Sequence, residues 1–307
     1  MKLLITGATG FVGSNVVETA LQNNHEVIGL TRSGKLENLT HLSGKNLILE
    51  NVDLNNYGSV VEVIKKHSPD VILHVAAVHP PKPLDSPYEC FDSNVKGTVN
   101  LLEAARNNNI KKFVYMSSMS VYGNAQKLPV DENHPINPTT FYGCSKLAAE
   151  LYCKLYSDTY GFKMVILRCS GIYGHHRKWG AVTNFVKNVI NNIPPKVNSD
   201  ISWDIVYVKD IADAFMSAAQ QIDNMKFEII NIGSGTEVNI KDLVKMIISL
   251  DNSKIEPEFN ITSLNSFRFY FNIEKAKRLL NFQPTPLEKG LSEYIAWEKM
   301  MNESPSS

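Results

Sequence analysis

Short apolar runs alternate with amphipathic segments of helical period through the first half of the chain. The apolar runs predict strands at residues 2–6, 26–31, 47–52, 70–75, 112–116 and 163–168. The segments between them predict helices at residues 13–23, 57–67, 88–108 and 142–160. Apolar strands that are separated by helices favour a parallel sheet covered on both faces. Because such crossovers are right-handed, we expect an α/β fold with a doubly wound parallel sheet.

The second half of the chain is less regular. Helices are predicted at residues 179–191, 210–221, 240–250, 273–280 and 287–301, and extended segments at 205–208 and 228–232. We expect one domain of residues 1–168 plus about 205–233, and a smaller C-terminal substrate-binding lobe of about 169–204 and 234–301. The lobe should cover the carboxyl ends of the strands, where ligands of such sheets bind. Residues 302–307 are expected to form a disordered tail.

Composition, charge and cysteine usage argue against several classes of protein. Of the 307 residues, 43% are hydrophobic, and 31 basic side chains balance 31 acidic ones. No basic block favours nucleic acid or an anionic membrane as a partner, and no apolar run reaches the length of a membrane span. The four cysteines lack a C-x-x-C spacing and are predicted to be reduced, mostly buried thiols. Because the first strand begins at residue 2, we expect no signal peptide and a cytoplasmic protein.

A glycine-rich turn joins the first predicted strand to the first helix. It comprises Gly7, Ala8, Thr9, Gly10, Phe11, Val12 and Gly13. Gly7 permits a tight turn, Gly10 lets a pyrophosphate approach the main chain, and Gly13 lets the helix pack close to the strand. The free N–H groups of the helix N-terminus then face the phosphates. This context favours a dinucleotide-binding site of the Rossmann type over a glycine turn without a ligand.

The end of the second predicted strand bears on the choice of coenzyme. An acidic residue at this point accepts the ribose hydroxyls of NAD, whereas this chain has Thr31, Arg32 and Ser33. A guanidinium and a hydroxyl suit a 2′-phosphate, so NADP(H) is favoured over NAD(H). The alternative is that Arg32 is a solvated loop residue.

Tyr142 and Lys146 form the candidate catalytic pair. At a spacing of four residues near the start of a predicted helix, both side chains lie on one face. A phenol with a pKa of about 10 is a poor base at neutral pH. A neighbouring ammonium favours its phenolate form, so the pair can move a proton to or from a substrate hydroxyl. Cys144, between them in sequence, points in another direction and is predicted to be a small buried residue.

These motifs together resemble those of the extended short-chain dehydrogenase/reductase family, often labelled NAD-dependent epimerase/dehydratase. The resemblance covers nearly the whole chain. It rests on the glycine-rich turn, on the Tyr142–Lys146 pair and on segments 94–98, 117–123, 206–210, 231–233 and 275–297. No single segment decides the matter, but all of them occur in the family's order.

The resemblance implies a role for each candidate site residue. Tyr142 would be the general acid/base, Lys146 would lower its pKa and hold the nicotinamide ribose, and Ser118 would hydrogen-bond the reacting hydroxyl or carbonyl. Hydride would pass between the nicotinamide and the carbon that bears this oxygen. The other expected coenzyme-binding residues lie after the third and fourth strands and on the central helix: Asp53, Leu54, Ala76, Ala77 and Asn94.

The substrate is implied less directly. Many members of the family act on nucleotide-activated sugars, but Met119 and Ser120 replace the acidic pair of the dehydratases, which argues against a 4,6-dehydratase. Gly171 and Trp203 stand where an asparagine and an arginine usually contact the diphosphate. Arg268 resembles the family's other diphosphate arginine, and a bidentate arginine suits a diphosphate.

Two loop residues are further candidate substrate contacts. His79 lies in a proline-rich loop that is expected at the cleft, and Arg177 follows the sixth strand. Either would also fit a solvated loop. The adjacent His175 and His176 have no accompanying carboxylate and are not expected to bind a metal.

We therefore expect an NAD(P)-dependent oxidoreductase or epimerase that reduces a 4-keto group or epimerises a carbon on a nucleotide-activated sugar. One alternative is an NADPH-dependent reductase of a small or lipophilic carbonyl compound, which Gly171 and Trp203 favour. Another is a non-catalytic NADP-binding regulatory protein, against which the intact set of Ser118, Tyr142 and Lys146 argues. The resemblance also implies a homodimer formed through the helices that carry Asn94 and Tyr142.

Overall fold

A seven-stranded parallel sheet lies at the centre of the computed structural model, which describes residues 1–32, 34, 36–42, 46–78, 86–261 and 267–303. In chain order the strands are β1 (Lys2–Thr6), β2 (Glu26–Thr31), β3 (Leu47–Asn51), β4 (Val71–His74), β5 (Lys112–Ser118), β6 (Lys163–Cys169), β7 (Gly171–Tyr173), β8 (Lys196–Val197), β9 (Ile201–Trp203), β10 (Ile205–Tyr207), β11 (Phe227–Ile232), β12 (Val238–Asn239), β13 (Glu258–Phe259) and β14 (Phe267–Phe269). The order across the large sheet is β11-β6-β5-β4-β1-β2-β3. This is the doubly wound sheet that the sequence predicts.

Helices cover both faces of this sheet. They are α1 (Phe11–Gln22), α2 (Tyr57–His67), α3 (Pro87–Cys90), α4 (Gly97–Asn107), α5 (Phe141–Tyr160), α6 (Ala181–Ile190), α7 (Val208–Gln221), α8 (Ile240–Asp251), α9 (Glu274–Leu280) and α10 (Leu287–Glu303). Successive residues of a strand point to opposite faces. Accordingly, Leu3 and Ile5 pack with residues of α1 and α7, whereas Leu4 packs with residues of α2, α4 and α5.

The order in which strands are added to the sheet reverses between β1 and β4. After β1 it adds β2 and β3 on one side, and it then crosses over to β4 on the other side. Gly7, which follows β1 with a φ of +66°, approaches Ala76, which follows β4, so closely that an added Cβ would lie 2.9 Å from the Ala76 Cα. A Cβ on Gly13 would lie only 1.9 Å from the Gly7 carbonyl oxygen. Ligands of open α/β sheets bind in the crevice at such a point.

The remaining strands form three small sheets, β10-β7, β12-β9-β14 and β13-β8. Most of these strands have only two or three residues, which is too short for a periodic pattern, and the sequence did not predict them, except for β10. The predicted helix at 88–108 is interrupted by a π-helical stretch, Phe91–Lys96, that joins α3 to α4. None of the described helices is both long and apolar enough to cross a membrane. The division into two domains stays a prediction.

Candidate active site

A cavity of about 720 Å³ opens at the carboxyl ends of the central strands. Twelve of the predicted coenzyme-binding residues line it, together with the predicted catalytic residues: Gly7, Thr9, Gly10, Phe11, Val12, Gly13, Thr31, Arg32, Asp53, Leu54, Ala76, Ala77, Ser118, Tyr142 and Lys146. The crevice thus gathers residues from turns that are far apart in the sequence. Two other expected site residues, Ser33 and His79, lie outside the described residues.

The glycine-rich turn provides a cradle for a phosphate group. Gly7 and Gly13 have no room for a side chain, because a Cβ would lie 2.9 Å from the Ala76 Cα or 1.9 Å from the Gly7 carbonyl oxygen, so the turn packs closely against β4 and α1. The first turn of α1 presents its N–H groups on the same side, with Gly10 as the residue before the helix. A helix N-terminus of this kind favours an anion. The turn therefore fits the pyrophosphate of a dinucleotide.

Tyr142 lies in the first turn of α5, against the end of β5. Thr140 is the N-cap residue directly before this helix, and its hydroxyl accepts a hydrogen bond from the Gly143 N–H at 3.0 Å. A Cβ on Gly143 would lie 2.5 Å from the Ser120 carbonyl oxygen, so the helix packs directly on the turn that follows β5. Ser118 ends β5, its hydroxyl accepts from the Ser120 N–H at 3.1 Å, and it lies close enough to the Tyr142 phenol to lower the pKa of that group. Both hydroxyls lie at the wall of the cavity.

Burial governs the ionisation of the catalytic pair. It raises the pKa of the Tyr142 phenol, with the neighbouring Cys169 thiol acting in the same direction, while the Ser118 hydroxyl lowers it. Burial also lowers the pKa of Lys146 to about 8. The expected lowering of the Tyr142 pKa by Lys146 is not seen. The ammonium lies 5.9 Å from the centre of the Tyr142 ring and donates instead to the Met116 carbonyl oxygen at 2.8 Å.

Asn94 lies behind the cavity and is not among the described residues that line it. Its side chain accepts from the Val78 N–H at 2.8 Å and donates to the Val78 carbonyl oxygen at 3.0 Å. It also donates to the Ser145 hydroxyl at 3.0 Å. These contacts fit the support of the central helix that the resemblance implies for Asn94, and its contact with the coenzyme stays a prediction.

Arg177 lies at the cavity, as the sequence analysis expected of a substrate contact. Its guanidinium is 5.1 Å from the centre of the Phe11 ring and 5.0 Å from that of Trp179. It donates to the carbonyl oxygens of Ile172 and Trp179 at 2.7 and 2.8 Å. Burial lowers the pKa of Arg177, so its charge stands in a partly dehydrated setting. The segment after β7 thus rests on the first turn of α1.

Several cavity residues were missed by the sequence analysis. The additional lining residues that follow strand ends or close the mouth are Glu37, Asn38, Ser93, Cys169, Ser170, Ile172, His176 and Trp179. Lys178 and Glu37 form an ion pair of 3.0 Å across the mouth, although 141 positions separate them. No local pattern links such residues. Only their position directly after a strand end could have suggested the inner ones.

Arg268 lies elsewhere. It is on β14, its guanidinium makes two hydrogen bonds of 2.6 Å to the Glu237 carboxylate, and it is not among the described residues that line the cavity. The two substitutions at the expected diphosphate positions contact each other, because a Cβ on Gly171 would lie 2.8 Å from the Trp203 indole nitrogen. The indole occupies the space that a larger side chain at position 171 would need.

Disulfide formation and metal binding are the other chemistry that cysteine and histidine side chains can provide. All four cysteines are free thiols; Cys90, Cys153 and Cys169 are buried, as predicted for most of them. The prediction that Cys144 is buried was wrong, because its direction on α5 faces away from the sheet and leaves it exposed. Among the described residues, no group of three or more His, Cys, Asp or Glu side chains is arranged to hold a metal ion.

Comparisons with known proteins agree with this geometry. The model of the NAD-dependent epimerase/dehydratase family matches residues 3–233. A putative UDP-glucose 4-epimerase of Methanocaldococcus jannaschii is 34% identical over 313 residues, covering 98% of this chain and 99% of that protein. The crystal structure of UDP-glucose 4-epimerase from Thermotoga maritima with UDP-glucose superposes with a TM-score of 0.88 at 26% identity, covering 99% of this chain and all of that one. The UDP-glucose 4-epimerase of Thermus thermophilus in complex with NAD gives 0.86 at 26% identity, with coverages of 97% and 99%.

Proposed function

The chain belongs to the NAD-dependent epimerase/dehydratase family, and from that membership we propose that it is a 4-epimerase of a UDP-activated hexose. It is a nicotinamide-dependent enzyme of nucleotide-activated sugars, like the relatives that match it over nearly their whole length. The carbon and the nucleotide are the finer part of the proposal, and the names of these relatives support them. The alternatives of a small-carbonyl reductase and a regulatory protein are not favoured.

The presence of Ser118, Tyr142 and Lys146 together at the wall of one cavity is the observation that carries this proposal. Tyr142 takes the proton from the sugar hydroxyl and later returns it, while Ser118 holds the same oxygen in line. Lys146 lies at the same wall, with its ammonium 5.9 Å from the centre of the Tyr142 ring, and its role in this proposal is to hold the nicotinamide ribose. When bound, the nicotinamide accepts and returns the hydride of the sugar carbon.

The two lobes divide the work in this proposal. Residues 1–168 and about 205–233 hold the coenzyme, and about 169–204 and 234–301 hold the nucleotide sugar. Arg177 is our candidate for the substrate phosphates, since it is a half-buried cation that lines the cavity. Arg268, which binds Glu237, needs to leave that ion pair before it can contact a substrate.

The test is conversion of UDP-glucose to UDP-galactose, and the reverse, by purified protein without added reductant. Equilibration of the two sugars with only catalytic amounts of coenzyme supports the proposal. Mass spectrometry of the nucleotide released on denaturation identifies the bound coenzyme. Consumption of a full equivalent of reduced coenzyme per turnover would instead identify a 4-keto reductase. Activity on carbonyl compounds that carry no nucleotide would contradict both.

The coenzyme preference is a separate proposal, and we favour NADP(H) over NAD(H). The residue at the end of β2 is Thr31, so this position offers no carboxylate to the ribose. Its hydroxyl is hydrogen-bonded to that of Thr9 at 3.0 Å. Arg32 is exposed at the edge of the cavity. A guanidinium in this place suits a 2′-phosphate. In this respect the chain would differ from the solved relative that was crystallised with NAD.

We also propose a homodimer in the cytoplasm. The outer faces of α3, the π-helical stretch and α5 expose large apolar side chains, namely Tyr88, Phe91, Leu151, Tyr152 and Leu155. An apolar patch on adjacent helices supports association through these helices. Sedimentation at micromolar concentration should give a dimer, and Leu155→Glu should shift it to monomer. Ile193→Glu, at another exposed apolar position, is the matched control and should leave the dimer intact.

A further inference from the structure

His74 is a fully buried histidine whose two ring nitrogens are both hydrogen-bonded. It is the last residue of β4, at the point where the sheet opens into the cavity. Its Nδ1 lies 2.7 Å from the Thr6 hydroxyl, and its Nε2 lies 2.9 Å from the Thr98 hydroxyl. These bonds connect the ends of β1 and β4 to the central helix. His74 itself has no role in the chemistry proposed above.

The neighbours of the two threonines fix the direction of these hydrogen bonds. The Thr6 hydroxyl accepts from the Ala76 N–H at 3.0 Å, and its own proton is available to Nδ1. The Thr98 hydroxyl donates to the Asn94 carbonyl oxygen at 2.6 Å, so it accepts from Nε2. Nε2 therefore carries a proton, and in the neutral ring that burial favours Nδ1 accepts the proton of Thr6. Burial, together with the charge of Lys146, lowers the pKa of His74 to about 3, which agrees with this tautomer.

One end of this hydrogen-bond chain lies in the coenzyme crevice. Thr6 precedes Gly7, and Ala76 is the residue that Gly7 touches across the crevice. Both Thr6 and Ala76 line the cavity. Any shift of the Thr6 hydroxyl would therefore move the surface on which the coenzyme is expected to lie.

The other end of the chain lies in the catalytic helix. Asn94 donates from its side chain to the Ser145 hydroxyl at 3.0 Å. Ser145 in turn donates to the Tyr142 carbonyl oxygen at 2.8 Å. Hydrogen bonds thus link Ala76, in the expected coenzyme crevice, through His74 and Asn94 to the first turn of α5. His74 joins the bonds on the crevice side to those on the side of the helix.

We propose that His74 is a positioning residue, whose neutral ring holds the coenzyme crevice and the Tyr142 helix in a fixed relation. The inference rests on the proposed function, because it takes the crevice as the coenzyme site and Tyr142 as the acid/base. The distance between a reacting carbon and its acid/base matters to the rate, and an error of about 1 Å costs up to about 100-fold. His74 fixes this distance from a position that touches neither substrate nor coenzyme.

Two substitutions each remove one of the two hydrogen bonds of the His74 ring. In His74→Asn the amide oxygen takes the place of Nδ1, so the bond from Thr6 is kept and the bond to Thr98 is lost. In His74→Gln the amide nitrogen reaches the place of Nε2, so the bond to Thr98 is kept and the bond from Thr6 is lost. His67→Asn is the matched control, because His67 is also buried but its Nε2 binds the surface residue Glu50 at 2.7 Å.

The two variants should fail in different ways. We expect His74→Asn to keep coenzyme affinity within about threefold of wild type while kcat falls about tenfold or more. We expect His74→Gln to weaken coenzyme binding about tenfold while kcat at saturating coenzyme changes little. Titration calorimetry and initial rates measure the two quantities, and His67→Asn should leave both unchanged.

Other outcomes would overturn the proposal. If both variants lose affinity and kcat in parallel with thermal stability, His74 is a packing residue only. If the variants do not fold, ¹⁵N NMR of wild type decides, because an imidazolium or an Nδ1–H tautomer at neutral pH contradicts the hydrogen-bond chain. A wild type that binds no dinucleotide would overturn the proposed function and this inference with it. A wild type that binds and turns over, with variants that match it, would overturn this inference alone.

Discussion

The ammonium nitrogen of Lys146 lies 2.8 Å from the main-chain oxygen of Met116. Lys146 is buried, and its other close neighbour is the face of the Tyr115 ring, whose centre is 4.8 Å away. Both partners are uncharged, so they offset only part of the loss of water around the ammonium. Burial therefore lowers the pKa of Lys146 to about 8. Its proton is released within the range of pH at which the protein can be studied.

This lowered pKa predicts a stability that rises with pH. Between pH 8 and the ordinary value of 10.5, the unfolded chain holds a proton on Lys146 that the folded chain has released. Lys146 therefore contributes a free energy of unfolding that increases with pH through this window, by about 1.4 kcal/mol for each unit by which its pKa is lowered, while the buried Cys153 and Cys169 thiols, whose pKa values burial raises, act in the opposite direction. Urea denaturation at about pH 7.5, 8.5 and 9.5 measures it, with the first point below this window and the other two inside it.

The contribution of Lys146 is isolated by Lys146→Met. This variant cannot release the proton, so its stability should gain less than that of wild type over the same interval. If the stability of the two proteins depended equally on pH, burial would not lower the pKa of Lys146.

Replacement of the phenol tests the acid/base. Tyr142→Phe keeps the ring but removes the proton, so kcat should fall by about 10²–10⁴-fold. Coenzyme affinity should be unchanged, because the cradle at Gly7 and Gly13 is untouched. Ser118→Ala should retain more activity, since it removes only the hydrogen bond to the reacting oxygen. Steady-state rates and fluorescence titration of the coenzyme measure these effects.

The control for this prediction is Tyr152→Phe, an exposed tyrosine on the same helix, which should behave as wild type. Full turnover by Tyr142→Phe would remove Tyr142 from the mechanism.

The parts of the site that the sequence predicts are those encoded within one turn. The glycines at 7, 10 and 13 and the pair of Tyr142 and Lys146 each lie within one short segment. A strand end followed by a helix brings such segments to the same edge of a parallel sheet, whatever their separation in sequence. For this reason the predicted residues of these short segments and the residues that follow strand ends lie together at the cavity.

The parts that the sequence does not predict depend on pairings between distant segments. Arg268 is directed by the register of β14 beside β9 and by the carboxylate of Glu237. The exposure of Cys144 depends on which side of α5 packs on the sheet, and the weak apolar pattern of that helix did not specify it. The bonds of His74 join three elements at once, and no periodic pattern records them.

The close approach of Gly13 to Gly7 predicts a local loss of stability on substitution. In Gly13→Ala the new Cβ would stand 1.9 Å from the Gly7 carbonyl oxygen, so the helix must move away from the turn. Overpacking of this kind costs about 1–3 kcal/mol of unfolding free energy. The coenzyme should also bind more weakly, because the cradle opens.

Gly58→Ala is the matched control, since Gly58 is also helical and its nearest neighbour to a new Cβ is 3.4 Å away. Thermal unfolding and coenzyme titration should leave this variant near wild type. A Gly13→Ala protein with unchanged stability and affinity would contradict the packing described for the turn.

The coenzyme preference predicts opposite effects of two substitutions at the end of β2. Arg32→Ala removes the proposed partner of the 2′-phosphate, and NADP should then bind about tenfold more weakly, with NAD unaffected. Thr31→Asp adds a carboxylate that accepts ribose hydroxyls and repels a phosphate, so the preference should turn towards NAD. Parallel titrations with both coenzymes give the ratio. A ratio that Arg32→Ala leaves unchanged would assign Arg32 to the solvated loop.

The buried ion pair of Glu150 and Arg168 predicts a strongly non-additive response. The two side chains are hydrogen-bonded at 3.0 and 2.6 Å, and neither is more than 4% exposed. Glu150→Met leaves the guanidinium without its carboxylate in a dry interior, which costs about 3–5 kcal/mol of stability. Replacing both residues by methionine removes the unpaired charge as well, so the double variant should be more stable than Glu150→Met.

On the same helix, Asp158 pairs with Lys154 in solvent, and Asp158→Asn should cost less than about 1 kcal/mol. Urea denaturation of the set gives the coupling energy. The Ser117 hydroxyl also binds Glu150, one residue before Ser118 in β5. If the double variant recovers stability but not kcat, the pair serves to hold β5 against the catalytic helix. Recovery of both would limit its role to folding, because methionine packing would then position Ser118 as well as the ion pair does.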